Sequence, residues 1–299
     1  AILGGEDMDG PVSRVHEFKL DQRRKPVIAR SSASKEELLA LMQENNLRQM
    51  PLLHADGRVA DLVTVEELLP DTPTDIQAVI MAGGLGTRPR PLTETLPKPM
   101  LPVGERPLLE RIVDKLRCHG IDEMVITSFY KPEIISEHFG DGRDFGVNID
   151  YVRENAPLGT AGGLSLLKRP DKTLLVINGD ILTEVNFQAM FDYHRAHNAD
   201  ITLAVRNYEY QVPYGVVELD GDNVREIREK PSYTLFVNAG IYLIEPHVLS
   251  RLAYNEHFEM TSLIELVIGE QGNVVSFPVH EFWLDIGMKD DYMKAQQYM

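Results

Sequence analysis

The stretch from Val79 to Gly104, VIMAGGLGTRPRPLTETLPKPMLPVG, limits what this chain can fold into more than any other. Ala78 to Met81 is an apolar run that reads as a buried strand, and it feeds straight into a turn holding Gly83, Gly84 and Gly86. Glycine carries no Cβ, so successive main-chain N–H groups in such a turn can wrap an anion closely. Two cations, Arg88 and Lys98, follow among prolines, a combination of fixed charge and rigid spacing that a plain turn does not need. The arrangement suits a polyphosphate, although the letters match neither GxGxxG nor GxxxxGK(S/T).

The totals narrow the field. At 299 residues there is length for one large α/β domain and a smaller one, each with a core. A formal net charge of −16 argues against general affinity for nucleic acid or an anionic membrane, so an anion site in this chain must concentrate its cations locally. The opening AILGGEDMDG is acidic where a signal peptide is basic, and no apolar run reaches spanning length. The single cysteine, Cys118, excludes an internal disulfide and reads as a buried small hydrophobe. These features lead us to expect a soluble, cytoplasmic protein.

Taken in order, the chain sharpens at Pro26. Val27–Ala29 reads as a short strand, Ser34 with Glu37 as a capping box, and Leu38, Leu39, Leu41 and Met42 as the apolar stripe of the helix that follows. Strands over 50–54 and 59–64 are joined by the turn Ala55-Asp56-Gly57, and a helix over 65–69 precedes the boundary prolines Pro70 and Pro73. After the glycine turn, strands and helices alternate, as expected of a parallel sheet covered on both faces. The helix Pro107–His119 ends at Gly120, and further helices are expected over 132–139 and from Thr160. The almost wholly apolar strand 173–177 should be central. A hairpin with strands 214–219 and 224–229 comes next, then strands 235–244 and 274–282 and a last helix over 288–299. In open α/β sheets ligands gather at the carboxyl ends of strands, where both the glycine turn and Asn178-Gly179-Asp180 lie. Asp285, two residues after Trp283, ends another strand, and two carboxylates with phosphate oxygens and water suit magnesium.

Thr87-Arg88, Pro91-Leu92-Thr93 and Pro97-Lys98-Pro99 complete a pattern that resembles the signature of the sugar-1-phosphate nucleotidylyltransferases, or NDP-sugar pyrophosphorylases: GGxGTR, Leu or Met, xPLT, PKP. The resemblance covers about residues 76 to 299. It implies a Rossmann-like, mostly parallel sheet of the nucleotide-diphospho-sugar transferase type over 73–299. It also implies transfer of a nucleotidyl group from a nucleoside triphosphate to a sugar 1-phosphate, with release of pyrophosphate and with Mg2+ as cofactor. On the matching motifs, Arg88, Lys98 and Asp180 are the catalytic residues: Arg88 reaches the pyrophosphate and Lys98 the α-phosphate. NGD and WxDIG resemble the family's metal elements, which assigns the metal to Asp180 and Asp285. Ala82, Gly83, Gly84, Gly86, Thr87, Gly159, Thr160 and Gly162 are assigned to the nucleotide, and Tyr214, Gly215, Glu229, Lys230 and Asn238 to the sugar phosphate. The LGTAG letters recur in members that use GTP, though uridylyl relatives look similar. Uridylyl transfer to a sugar 1-phosphate and a catalytically silent, nucleotide-sugar-binding regulator therefore stand as alternatives. Such catalytic domains serve sugar activation for surface glycans. The chain departs from the pattern at Pro89, where proline removes a backbone N–H and biases Arg88 away from the α region.

The β-α-β-β-α order over 27–72, with QMPLL, DGR and LVTVEELL, resembles one α+β CBS module, which implies an adenine nucleotide as a candidate ligand. It departs from that family at Asp61 and Glu67. Residues 1–26 then read as a linker or the remnant of a preceding CBS unit. No hexapeptide repeat follows the catalytic region, and a homo-oligomer without nucleic-acid or membrane partners is expected.

Overall fold

The structure is a computed structural model that describes residues 27–298 apart from 46, 48, 55, 65–67, 69–74, 85–92 and 169. It divides into two units between Pro70 and Asp71.

In the first unit β1 (Ala29–Arg30), α1 (Lys35–Glu44), β2 (Gln49–Leu53) and β3 (Val59–Thr64) form a three-stranded sheet in the order β1-β2-β3 with one helix. The pairing is parallel, then antiparallel. The capping box is closed in both directions: Ser34 N–H donates to Glu37 Oε2 at 3.1 Å and Glu37 N–H to Ser34 Oγ at 3.2 Å. Leu38, Met42 and Met50 form the buried interior. The strand expected at 27–29 begins only at Ala29, and the helix expected over 65–69 lies, except for Leu68, outside the described residues, as does Glu67.

The second unit holds β4 (Ile76–Met81), α2 (Leu108–Cys118), β5 (Glu123–Ser128), α3 (Pro132–Phe139), β6 (Asn148–Arg153), β7 (Thr173–Asn178) and β8 (Ile181–Thr183). It continues with α4 (Phe187–Ala196), β9 (Ile201–Gln211), β10 (Val216–Asp220), β11 (Asn223–Arg228), β12 (Ser232–Ile244), α5 (Met260–Gly269), β13 (Val274–Pro278), β14 (Trp283–Asp285) and α6 (Lys289–Tyr298). Seven strands make the main sheet, in the order β13-β9-β12-β7-β4-β5-β6. The expected central strand, β7, is the middle one.

The sheet is not wholly parallel: β4, β5, β6 and β7 run together and β13 runs with β9, but β12 is antiparallel to both its neighbours. Successive side chains of a strand face opposite ways, so Ala78, Ile80, Leu175 and Ile177 enter one core while Val79, Leu174 and Val176 enter the other. The first core packs under α2, α3 and α4, and the second under α5. Burial on both faces explains why β4 and β7 are continuous apolar runs.

Three expectations change. Thr160 does not start an α-helix: Gly159 has φ +76, and a 3-10 turn, Gly162–Leu166, follows. The strand expected to run to Phe282 stops at Pro278, which has no N–H to extend a ladder; residues 283–285 leave the sheet and pair antiparallel with β8. Cys118, at the end of α2, is half-buried and not enclosed.

Gly240 has φ +70, and a Cβ there would meet Asn178 Nδ2 at 2.7 Å. Gly240→Ala therefore combines left-handed strain with a clash against the turn after β7. It should destabilise the fold by at least ~1 kcal/mol, read as a lower urea midpoint at unchanged slope; an unshifted midpoint would refute that contact.

Candidate active site

A cleft of about 490 Å3 opens at the carboxyl ends of β4 and β7. Its floor is built by close approach of two backbones. Gly179 N–H donates to Met81 carbonyl at 2.9 Å, and a Cβ on Gly179 would lie 3.0 Å from that oxygen and 3.4 Å from Ala82 Cα. Glycine lets the NGD turn lie against the turn that follows β4, where any side chain would be tightly squeezed. Ala82, Gly83 and Gly84 line the cleft beside it.

Lys98 enters from the proline-flanked 3-10 turn Lys98–Met100, with Pro99 buried behind it. Its Nζ pairs with Asp180 Oδ2, both side chains being mostly buried at 13% and 26% exposure. Asp285 reaches the same cleft by the departure of β14 from the main sheet. It lies opposite Ile181 in the β8–β14 ladder, and Ile286 N–H donates to the Asp180 carbonyl at 3.0 Å. The ladder thus ties together two acids more than a hundred positions apart. Trp283 anchors it: the indole N–H donates to Ala239 carbonyl at 2.7 Å, while Arg206 donates to the Trp283 carbonyl and lies over its ring.

The sequence reading missed Glu154, His257 and Glu259, all lining this cleft. Glu154 is buried, with its carboxylate filling the space that Gly83 and Gly163 leave open: a Cβ on either would meet Oε1, at 3.0 and 2.9 Å. Leu158 N–H donates to its Oε2 at 3.2 Å. Burial raises the Glu154 pKa against the opposing effects of the Leu158 and Thr127 hydrogen bonds. Its signal was its place, directly after β6 at the carboxyl end of a parallel strand. His257 and Glu259 sit in an aperiodic loop that carried no such signal.

Thr160 is engaged within the protein. Its hydroxyl donates to Glu259 Oε2 at 2.7 Å and accepts from Met260 N–H at 2.8 Å, so that it caps α5 from another segment. Its own N–H also points to Glu259 Oε2, at 3.3 Å, and His257 Nε2 lies 3.2 Å from Oε1. Phe258 carbonyl accepts from Ala161 and Gly162 N–H, and a Cβ on Gly162 would lie 2.4 Å from Glu256 carbonyl. The Leu158–Gly162 wall is thereby fixed from behind, with Gly159 and Thr160 on the cleft and Gly162 buried in the support.

The remaining assignments divide into two groups. Gly86, Thr87 and Arg88 lie outside the described residues. Tyr214, Gly215, Glu229 and Lys230 are exposed where an arm leaves the sheet, and Asn238 hydrogen-bonds Tyr242 Oη and Gly240 N–H; none of the five lines the cleft.

The chain matches the nucleotidyl transferase family over residues 77–299 and belongs to it. It is 32% identical over 227 residues to mannose-1-phosphate guanylyltransferase of Mycobacterium tuberculosis, a match that covers 74% of the chain and 63% of that protein. It is 33% identical over 225 residues to D-glycero-alpha-D-manno-heptose 1-phosphate guanylyltransferase of Aneurinibacillus thermoaerophilus, covering 74% of the chain and 97% of that protein. Among solved structures it is similar to HddC of Yersinia pseudotuberculosis: 26% identity, TM-score 0.58, 74% of this chain and 98% of that one. The same protein complexed with GMP-PN aligns with TM-score 0.57 at 25% identity, over 74% and 98% of the two chains. No helix among the described residues is long and apolar enough to cross a membrane.

Because burial raises the Glu154 pKa in the folded protein, the native state holds that proton more tightly than the unfolded chain, and stability falls as pH rises through the folded pKa. Glu154→Gln keeps an acceptor for Leu158 and removes the titration. Its thermal midpoint should therefore gain on the wild type as pH rises above the ordinary carboxylate range; a constant difference would show that the carboxyl is not desolvated.

Proposed function

We propose that this chain transfers a guanylyl group from GTP to a sugar 1-phosphate of the manno series, giving the GDP-sugar and pyrophosphate. The observation that carries the reading is the convergence of the glycine turn, Lys98, Asp180 and Asp285 on one cleft. Relatives that are mannose- and manno-heptose-1-phosphate guanylyltransferases support the nucleotide and the sugar class.

In this reaction a phosphate oxygen of the sugar 1-phosphate attacks the α-phosphorus of GTP. The new P–O bond forms as the bond to the bridging oxygen breaks, and the electron pair leaves on pyrophosphate. A phosphate monoester has a second pKa of roughly 6 and is already largely dianionic at neutral pH, so no general base is needed. Catalysis then rests on holding two anions in line and offsetting their repulsion. Lys98 meets the α-phosphate by exchanging its Asp180 partner for a phosphate oxygen. Arg88 is assigned to the departing pyrophosphate.

Asp180 and Asp285 are the residues for a divalent cation, expected to be Mg2+. Among the described residues no group of three or more His, Cys, Asp or Glu side chains is arranged to hold a metal alone. Two neighbouring carboxylates completed by ligand phosphates are nonetheless the donor set that magnesium favours. The cation supplies charge neutralisation at the phosphates.

The guanine preference has a structural argument of its own. A guanine edge presents two adjacent N–H donors, which a carboxylate accepts as a pair. Glu154, on the cleft lining, is the carboxylate assigned to such an edge. Gly159, fixed by the Glu259–Thr160 contacts, forms the wall for the flat base. Tyr214, Gly215, Glu229, Lys230 and Asn238 are kept as sugar-phosphate contacts on the resemblance of their motifs, which requires the arm to move towards the cleft. Residues 27–72 are assigned as one CBS-like module on the strand–helix–strand–strand order of the first unit.

Pyrophosphate release from GTP, UTP, ATP and CTP, each with a panel of sugar 1-phosphates, tests the reading. GTP with a manno-configured acceptor should be fastest, and Lys98→Ala should lose roughly 10²- to 10³-fold in turnover. A preference for UTP, or a Lys98→Ala enzyme at full rate, would overturn it.

A further inference from the structure

The helix α6 follows Asp285 almost at once, with Ile286, Gly287 and Met288 leading into Lys289–Tyr298. Its first turn is pinned: Met288 N–H donates to Asp291 Oδ2 at 3.2 Å and Tyr292 N–H to Met288 carbonyl at 3.1 Å. Tyr292, Ala295 and Gln296 stand three and four positions apart and so share one face of the helix. Ala295 is buried in the first core, and the Tyr292 ring packs against the same core.

That face meets the segment that carries Lys98. Tyr292 Oη and Gln296 Nε2 both donate to the Pro102 carbonyl, each at 2.6 Å, and Gly104 N–H donates to Gln296 Oε1 at 3.1 Å. Between Lys98 and Pro102 the chain is stiff. Pro97, Pro99 and Pro102 have ring-locked φ, Met100 N–H donates to Pro97 carbonyl at 2.8 Å, and Leu101 N–H donates to Lys98 carbonyl at 3.1 Å. Met100, Leu101 and Val103 are buried, and from α2 the Arg111 guanidinium donates twice to the Val103 carbonyl, at 2.8 and 2.6 Å. A displacement at Pro102 therefore passes to Lys98 with little loss. One helix of ten residues, about 15 Å long, bears on both the Lys98 turn and the Asp285 segment.

The grip on Pro102 is not what seats α6. Burial of Ala295 and of the Tyr292 ring does that, whereas Pro102 and Gly104 are exposed, where water could satisfy their main-chain groups. Two donors converging on one carbonyl add little net stability but fix a distance.

We infer that Tyr292 and Gln296 are positioning residues for nucleotidyl transfer. Through Pro102 they set the separation of the Lys98 ammonium from the Asp285 carboxylate, and with it the seat of the α-phosphate. Both act through other residues and neither lines the cleft. The inference rests on the roles proposed above for Lys98 and Asp285. In-line transfer is sensitive to placement, a shift of about 1 Å being enough to cost on the order of 10²-fold.

Tyr292→Phe combined with Gln296→Met keeps the bulk of both side chains and removes the grip. With GTP and a manno-configured sugar 1-phosphate, kcat should fall at least ~10-fold while KM for GTP stays within about 2-fold. Asn273→Ala is the comparison for lost stability: it removes hydrogen bonds to the His197 and Asn198 carbonyls at the other end of the sheet, so its thermal midpoint should fall and its kcat should not. A second readout needs no turnover. Trace acetylation with acetic anhydride, read by peptide mass spectrometry, should label Lys98 at least ~3-fold faster in the double variant, because a slackened turn lets the ammonium leave Asp180 more often. Lys172, paired with Glu123 away from the cleft, should label at an unchanged rate. If the wild type releases pyrophosphate from no pair of triphosphate and sugar phosphate, the activity reading fails and the labelling alone decides this inference. Far-UV circular dichroism confirms folding; if the double variant does not fold, Tyr292→Phe alone, which lacks one oxygen, carries both readouts. Unchanged Lys98 labelling, unchanged kcat in an active enzyme, or a kcat loss that Asn273→Ala shares would overturn it.

Discussion

The site depends on the contact between two backbone turns, and the Lys98–Asp180 ion pair stands on that contact. Gly179 lies against Met81 and Ala82 with little space for a side chain, which brings the turn after β7 beside the turn after β4. Asp180 is thereby placed where Lys98 arrives on its proline-held turn. With both partners mostly out of water, losing either would leave a charge facing the floor of the cleft. The pair holds the site together before a ligand arrives, and anionic phosphate offers Lys98 an alternative partner of the same sign as the one it leaves. A cation at Asp180 and Asp285 would offset the charge that the exchange uncovers. Placement and charge balance are linked in one device.

The rest of the second unit supports that device with differing rigidity. The NGD turn and the Leu158–Gly162 wall are fixed by main-chain bonds and by the Glu259–Thr160 contacts. They rest on a sheet buried on both faces. Beyond Val205 and Gly240, among the described residues, β9 and β12 pair only with each other. This arm carries the motifs assigned to the sugar phosphate.

How far the sequence could be read follows from the range of each signal. Local patterns were legible: the Ser34–Glu37 box, α3 over 132–139, the centrality of β7 and both members of the tip hairpin all come from periodicity, capping letters or turn residues. The antiparallel insertion of β12 was not legible, because an apolar run says how deeply a strand is buried and not which way it points. The break after Pro278 left a mark, the proline itself, but the pairing of residues 283–285 with β8 is a long-range contact without a local trace. Asp180 and Asp285 could be named as candidates because each ends a strand; only the ladder shows them to be neighbours. Thr160 lies on the cleft and also holds Glu259, a partner 99 positions away that no local pattern marks. Glu154 was passed over because a single acid at a strand end resembles any surface carboxylate until Gly83 and Gly163 are seen to make room for it.

The central claim is that distant acids form one cation position beside the nucleotide. Mn2+ titrated into the protein in the presence of GTP and followed by electron paramagnetic resonance tests it without relying on turnover. Tight Mn2+ uptake by the wild-type ternary mixture, weakened by Asp180→Asn and by Asp285→Asn alike, is the result this account predicts. Uptake that either substitution leaves unchanged would contradict it.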